Sequence, residues 1–265
     1  MPRTEPIAAL YDAVAADYDR LVAEDGWMRR TLWRRYETLF QPGDRVLDVA
    51  CGTGLDTLYL ARRGMRMHGV DASPGMVERL RAKAAALELG EQVEIRVGDA
   101  GALRESWPPS HFDGLLSAFA GLNTVPDLTA FAADAAHLLR PGGRALLHFL
   151  TPSGLWERWP AYLRGRLAEG RRLAARRERW VTVEGHRVRH TLWPVRQAYD
   201  ECFAAHFVAR RLYTLGFLWP QHLGRWLPRV VADPLGRLEV ALGAYPPFLG
   251  WGRFAVLELE RRREG

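Results

Sequence analysis

The sequence predicts an α/β protein built on a doubly wound, mostly parallel sheet of seven strands. Three observations carry this expectation. From Asp44 to Thr151 short apolar runs alternate with amphipathic segments, the pattern of β-α-β crossovers. The amphipathic segments stop at glycine, at Gly64 and Gly90. The first apolar run, Val46–Ala50, passes into a helix through the small-residue turn Cys51-Gly52-Thr53-Gly54.

Each element follows in order. Leu10, Val14, Tyr18, Leu21 and Val22 recur at helical spacing, and a second amphipathic run from Trp27 to Phe40 stops at Pro42-Gly43. Residues 1–40 are therefore expected to form an N-terminal helical cap. Residues 41–151 form the core: strands at 45–50, 66–70, 93–97, 112–119 and 144–150, with helices at 55–63, 74–89 and 128–139. Pro141-Gly142-Gly143 reads as a turn. Residues 152–194 read as an insertion, helical from Leu155 to Trp180. A hairpin follows, its arms Val181–Val183 and His186–His190 joined by Glu184-Gly185. Residues 195–265 hold a helix near 197–205, a strand within 207–218, a Pro- and Trp-rich stretch and an alternating strand at 253–260. These last strands are expected to complete the sheet. No internal repeat or linker divides the chain, so a single domain with insertions is expected.

Composition bounds the function. At 265 residues, 48% hydrophobic and 26% charged, the chain has the make-up of a globular protein that buries about 75% of its unfolded surface. No apolar run reaches the ~18 residues of a membrane span. Cys51 and Cys202 supply neither a disulfide framework nor a metal spacing. A soluble cytoplasmic protein without a metal and without a membrane partner is the expectation. The net charge of +6 is uneven. Residues 1–150 carry 17 Lys+Arg against 20 Asp+Glu, and residues 151–265 carry 20 against 11, so an acidic body bears a basic appendage.

The glycine turn carries the chemistry. Beyond the carboxyl end of a first parallel strand, glycines let a ligand approach the backbone and a helix N-terminus. Asp71 closes the second strand seventeen residues after Gly54, where a carboxylate can take two ribose hydroxyls. Asp99 follows the third strand, within reach of an adenine amino group. A dinucleotide site wants Gly-x-Gly-x-x-Gly; here Thr57 occupies the third glycine's place. Asp48, Asp71 and Asp99 would share one cleft, which repels a pyrophosphate and suits a nucleoside carrying an ammonium and a sulfonium.

In these residues the chain resembles the class I S-adenosylmethionine-dependent methyltransferases, over roughly Tyr11 to Thr151. Tyr11-Asp12-x-x-Ala15-x-x-Tyr18-Asp19 is similar to the family's N-terminal helix signature. Asp48-Val49-Ala50-Cys51-Gly52-Thr53-Gly54 is similar to its first glycine motif, with Ala50 where a glycine often stands. Gly69-Val70-Asp71-Ala72-Ser73-Pro74-Gly75-Met76 resembles its ribose turn, and Gly98-Asp99-Ala100 its adenine contact. Phe112-Asp113-Gly114 to Leu122-Asn123, then Leu139-Arg140-Pro141-Gly142-Gly143, resemble its fourth- and fifth-strand signatures.

The resemblance implies a Rossmann-like fold and S-adenosylmethionine as cofactor, with S-adenosylhomocysteine as product. It places Asp48, Ala50, Gly52 and Gly54 around the methionine part, and Asp71 with Ala72 at the ribose. Met76, Asp99 and Ala100 come to the adenine, Ser117 and Phe119 to the amino-acid end, and Tyr11 and Tyr18 over the carboxylate. Taken singly, the tyrosines and Met76 would be core residues at helical spacing; taken in this order they form a site.

Methyl transfer from a sulfonium is an in-line displacement that needs alignment and, for some acceptors, a base. His148, near the end of the fifth strand, is the candidate base. Asn123, His148, His186 and His190 are the candidate acceptor contacts. Motifs for exocyclic-amine and pyrimidine-C5 nucleic-acid methylation are absent, so the expected acceptor is an O or N of a small molecule. The insertion would serve as a lid, with Trp156, Trp159, Trp180 and Trp193 available to enclose the acceptor. An RNA-directed or anionic-substrate enzyme using the basic 151–265 region stays open as a second possibility. A nicotinamide oxidoreductase and a non-catalytic nucleoside-binding module stand behind both.

Overall fold

The computed structural model describes residues 7–183 and 186–263. The described part of the N-terminal cap holds α1 (Ile7–Val14), the single turn α2 (Tyr18–Leu21) and α3 (Gly26–Leu39). The sheet begins with β1 (Arg45–Val49), followed by α4 (Leu55–Ala61), β2 (Arg66–Asp71), α5 (Pro74–Ala86) and β3 (Val93–Val97). Then come β4 (Phe112–Ser117), α6 (Leu128–Leu138) and β5 (Leu139–Leu150). The insertion holds α7 (Leu155–Leu163), α8 (Leu167–Ala174) and the hairpin of β6 (Glu178–Val183) and β7 (His186–Thr191). The remainder is α9 (Val195–Ala198), β8 (Phe207–Leu215), α10 (Arg229–Leu242) and β9 (Phe254–Arg261).

Seven strands form one sheet in the order β3-β2-β1-β4-β5-β9-β8. The first five are parallel; β9 runs antiparallel between β5 and β8. Alternating side chains send each strand's neighbours to opposite faces. Val46, Leu116, Leu146 and Val256 join the cluster beneath α3, α4, α5 and α10. Leu47, Leu115, Leu147 and Leu257 join the cluster beneath α6 and α9. The cap is tied down by polar contacts. Arg35 on α3 donates twice to Glu258 on β9, at 2.7 and 2.8 Å, and Asp12 on α1 accepts from Ser73 Oγ and Gly75 N at the head of α5.

Two expectations are corrected. The helix expected through Trp180 is two helices broken at Arg164–Arg166, and it ends at Ala174, so Trp180 lies on β6. Gly165, at φ +69°, turns the chain at that break, a conformation a side chain resists. The Pro- and Trp-rich stretch contains α10, fourteen residues long. Its Pro234 reads as a breaker in sequence. The helix survives because Gly236 packs directly on Thr31 of α3 and Asp233 meets Arg30 and Arg34. Glu184-Gly185, the expected hairpin turn, lies outside the described residues.

Candidate functional site

The site lies beyond the carboxyl ends of β1, β2, β3 and β4, where an open parallel sheet leaves room between its loops. After β1 the backbone turns through left-handed conformations at Ala50 (φ +57°) and Gly52 (φ +53°) before Gly54 (φ +83°) caps α4. A left-handed backbone explains why a glycine is favoured at position 50, and why alanine, the smallest side chain, is the substitute. The Tyr18 ring lies over the turn, 3.7 Å from where a Cβ on Gly52 would stand, so it is the left-handed backbone and not crowding that favours glycine there.

Asp71, at the end of β2, is clamped from both sides. Gly52 N donates to Oδ2 at 2.8 Å and Ser73 N donates to Oδ1 at 3.0 Å. Each oxygen keeps a lone pair. Burial raises the Asp71 pKa although both amides favour its charged form, and the nearby Asp12 raises it further. Tyr11 and Tyr18 meet edge to face, 6.2 Å between centroids, on the same cavity. Burial pushes the Tyr11 hydroxyl to about 12, with help from Asp71, and also raises Tyr18, so both stay neutral hydrogen-bonding groups.

Asp48 sits buried on β1 and accepts the Thr57 hydroxyl at 2.6 Å. This is what Thr57 does in place of a glycine: it holds the carboxylate of the preceding strand. Burial, reinforced by Asp56, pushes Asp48 well above the usual carboxylate range. Such a group gains most from a cation placed beside it.

One site residue was not anticipated. Arg29 of α3 is buried, ion-paired with Asp56, and its guanidinium lies 4.0 Å above the Phe119 ring. Trp33 Nε1 donates to the other Asp56 oxygen at 2.7 Å. Arg29 lines a small pocket with Tyr18, Asp48, Asp56 and Phe119. Its spacing gave a usable signal: Arg29, Trp33 and Tyr36 fall on one inward helix face, where an arginine needs an acid.

A cavity of about 410 Å³ runs from Asp99 and Ala100 past Met76 and Asp71 to Ala50 and Phe119. Tyr18, Ala50, Gly52 and Phe119 border both this cavity and the Arg29 pocket, so the two form one cleft. Of the residues proposed for the cofactor, Tyr11, Tyr18, Asp48, Ala50, Gly52, Asp71, Ala72, Met76, Asp99, Ala100 and Phe119 line the cleft. Gly54 and Ser117 do not. A Cβ on Gly54 would stand 1.9 Å from Leu80, so this glycine serves helix packing. Ser117 is wholly enclosed beneath the loop, its Oγ without a partner.

The proposed acceptor contacts lie elsewhere. His148 is fully buried, stacked 4.6 Å from Phe254, and off the cleft surface. Its Nδ1 accepts the Phe119 backbone N–H at 3.0 Å, and burial, with Arg29 adding to it, lowers its pKa to about 3. An enclosed imidazole held this neutral cannot meet a substrate proton. Asn123 is also buried. It donates to the carbonyls of Leu150 and Thr191 and accepts from Leu150 N, which pins the hairpin to β5. His190 is buried in the insertion, and neither ring nitrogen has a hydrogen-bond partner among the described residues. The His186 side chain lies outside what the structure describes. No described residue of 152–194 lines the cleft: Trp156, Trp159 and Trp180 face outward, and Trp193 packs on the core. Among the described residues no group of three acidic, histidine or cysteine side chains is placed to hold a metal.

The chemistry of the cleft is compatible with a sulfonium nucleoside: Asp48, Asp71 and Asp99 along it, Asp71 held by two amides, and the buried Arg29 at its far end. Residues 46–143 match the family model described as a methyltransferase domain. The demethylmenaquinone methyltransferase of Symbiobacterium thermophilum is 33% identical over 148 residues, 52% of this chain and 56% of that protein. The 2-phytyl-1,4-naphtoquinone methyltransferase of Synechococcus elongatus is 30% identical over 150 residues, 54% and 63% of the two chains. The chain thus spans under two thirds of the length of these curated relatives. In fold it is similar to an S-adenosylmethionine-dependent methyltransferase from Mesorhizobium loti (TM-score 0.58, 18% identity, covering 87% of this chain and 98% of that one). With its glycine turn, clamped Asp71 and sheet order, the chain is similar over residues 46–143 to the methyltransferase domain family, and in fold to S-adenosylmethionine-dependent methyltransferases.

Proposed function

We propose that the protein transfers a methyl group from S-adenosylmethionine to an O or N atom of a small organic acceptor. The observation that carries this reading is the Asp71 clamp, which leaves a lone pair on each oxygen at the floor of a nucleoside-sized cavity. Asp71 would hold the ribose, Met76, Asp99 and Ala100 the adenine, and Asp48 the cationic end of the methionine part. Arg29, opposite Asp56, would face the carboxylate. The bound cofactor supplies an electrophilic methyl on a good leaving group, and alignment does most of the remaining work.

The chain's own contribution is orientation and exclusion of water. Tyr18 and Phe119 close the cleft from two sides where the adenosine cavity meets the Arg29 pocket. The acceptor would approach past Phe119, whose loop presents Ala118 and Ala120 and no titratable group. This suits an apolar acceptor that brings its own acidic proton, and the two relatives named above carry the names of quinone methyltransferases.

S-adenosylhomocysteine should raise the melting temperature and NAD should not. Asp71→Ala should abolish that shift while the protein stays folded by circular dichroism. An unchanged shift in the variant refutes the ribose assignment. A shift with NAD alone favours an oxidoreductase. Incubation of the protein with labelled methyl donor and a panel of phenols, hydroxyquinones and amines then separates an enzyme from a non-catalytic binding module.

A further inference from the structure

Helix α7 carries an apolar stripe that stays exposed among the described residues. Trp156, Trp159 and Leu163 stand at positions i, i+3 and i+7, one face of the helix. They are 40%, 45% and 70% exposed. Leu167, opening α8 four residues later, is 57% exposed. The helix itself is firmly held: the opposite face buries Arg158 and Ala161, and Arg158 donates to the Gly250 carbonyl at 2.5 Å. The stripe is thus displayed on a fixed element. It is not a lid face turned toward the cleft, which no described residue of the insertion lines.

Arginines follow it in the chain. Between Arg164 and Arg179 the chain holds seven arginines and two glutamates. Arg166 pairs with Glu169 at 3.6 Å and Arg179 with Glu157 at 2.8 Å. Arg164, Arg171, Arg172, Arg176 and Arg177 have no acidic partner among the described residues. Gly170 seats α8 on Tyr162 of α7, leaving no room for a side chain, so the arginines of α8 are carried along the flank of the stripe-bearing helix.

We infer that α7 and α8 form a docking surface for an anionic lipid bilayer. Tryptophans favour the headgroup boundary, leucines the upper acyl region, and arginines the lipid phosphates while their stems lie on apolar surface. All three classes are present together. The charge argues for an anionic occupant, and the two most exposed members of the stripe, Leu163 and Leu167, argue against a nucleic acid. Aliphatic leucines offer no ring for a base to stack on and gain nothing from a phosphate. This binding is peripheral, since no helix among the described residues is long and apolar enough to cross a membrane. It revises the expectation of no membrane partner, and it does not rest on the proposed reaction.

The test is co-sedimentation of the full chain with vesicles of phosphatidylcholine, alone or with 30% phosphatidylglycerol. Binding is expected to the anionic vesicles only, with a blue shift of tryptophan emission and release in 0.5 M salt. W159S/L163S and R171Q/R172Q should each lower partitioning at least tenfold. Both pairs are exposed, so their melting temperatures should match the parent; should the first pair fold poorly, the arginine pair decides. Equal sedimentation with neutral vesicles, or variants that bind like the parent, overturns the inference. So does tight binding of an RNA hairpin that anionic vesicles fail to displace, which would assign the surface to nucleic acid.

Discussion

His148 accepts the backbone N–H of Phe119 on its Nδ1 at 3.0 Å, joining β5 to the loop that ends β4. That loop is strained, with Phe119 at φ +53° and Ala120 at φ +73°, conformations that cost a non-glycine residue about 1–3 kcal/mol each. The imidazole helps to hold the strain, and Arg29 lies over the same Phe119 ring. His148 is thereby a positioning residue for the loop. His148→Phe should keep the stack on Phe254, leave the Phe119 N–H unpaired and lower stability by about 1–3 kcal/mol. His148→Asn, with an acceptor oxygen near the place of Nδ1, should recover part of the S-adenosylhomocysteine affinity that His148→Phe loses. Chemical denaturation and ligand titration measure the two effects.

Acid should weaken the fold through His190. Its pKa is lowered to about 4, first by burial and then by Arg179 and Arg253, against an ordinary value near 6.5. The unfolded chain therefore takes up a proton below pH 6.5 that the folded chain refuses until about 4. This contribution is intact above pH 6.5 and falls by at most about 1.4 kcal/mol per pH unit between the two values. His148 acts in the same direction. His190→Leu removes a buried ring with no hydrogen bonds to lose, so its melting temperature should exceed the parent's at pH 5 and match it at pH 8.

Arg29 and Asp56 are predicted to be separable in stability and binding. Arg29→Met leaves the buried Asp56 carboxylate without its counter-ion, held only by Trp33 Nε1, and should cost about 3–5 kcal/mol. Adding Asp56→Leu should restore most of that stability. It should not restore binding: S-adenosylhomocysteine should bind the double variant at least tenfold more weakly than the parent. Calorimetry on the three variants decides whether Arg29 meets the ligand or only balances Asp56.

Gly54→Ala is expected to destabilise by about 2 kcal/mol or more, from its left-handed backbone and from the overlap with Leu80. Pairing it with Leu80→Ala should recover the steric share and leave the backbone share. The melting temperatures of the single and double variants separate the two.

The sheet was legible in the sequence because each strand of the core is an apolar run bounded by glycine, proline or a charged helix start. The place of Asp71 in the cleft was legible because it ends the strand that follows the glycine turn. The acceptor side was not. His148 and Asn123 sit at the right strand ends, yet a sequence does not say whether a polar side chain at a strand end turns to the cleft or to the backbone of its neighbour. Here both turn inward, to Phe119 N and to Leu150. Arg29 escaped notice for the converse reason: its partner Asp56 lies in another helix, and no local pattern joins them.

The place of β9 in the sheet has a consequence for how the chain folds. β5 is paired on one side with β4 and on the other with a strand that begins at Phe254, about a hundred residues further on. Until those residues are made, the open edge of β5 has only water or another chain to pair with. The whole basic excursion, hairpin and apolar stripe included, is synthesised while that edge is bare. Substitutions in 151–253 that slow its collapse should therefore surface as poor yield before they alter the folded protein.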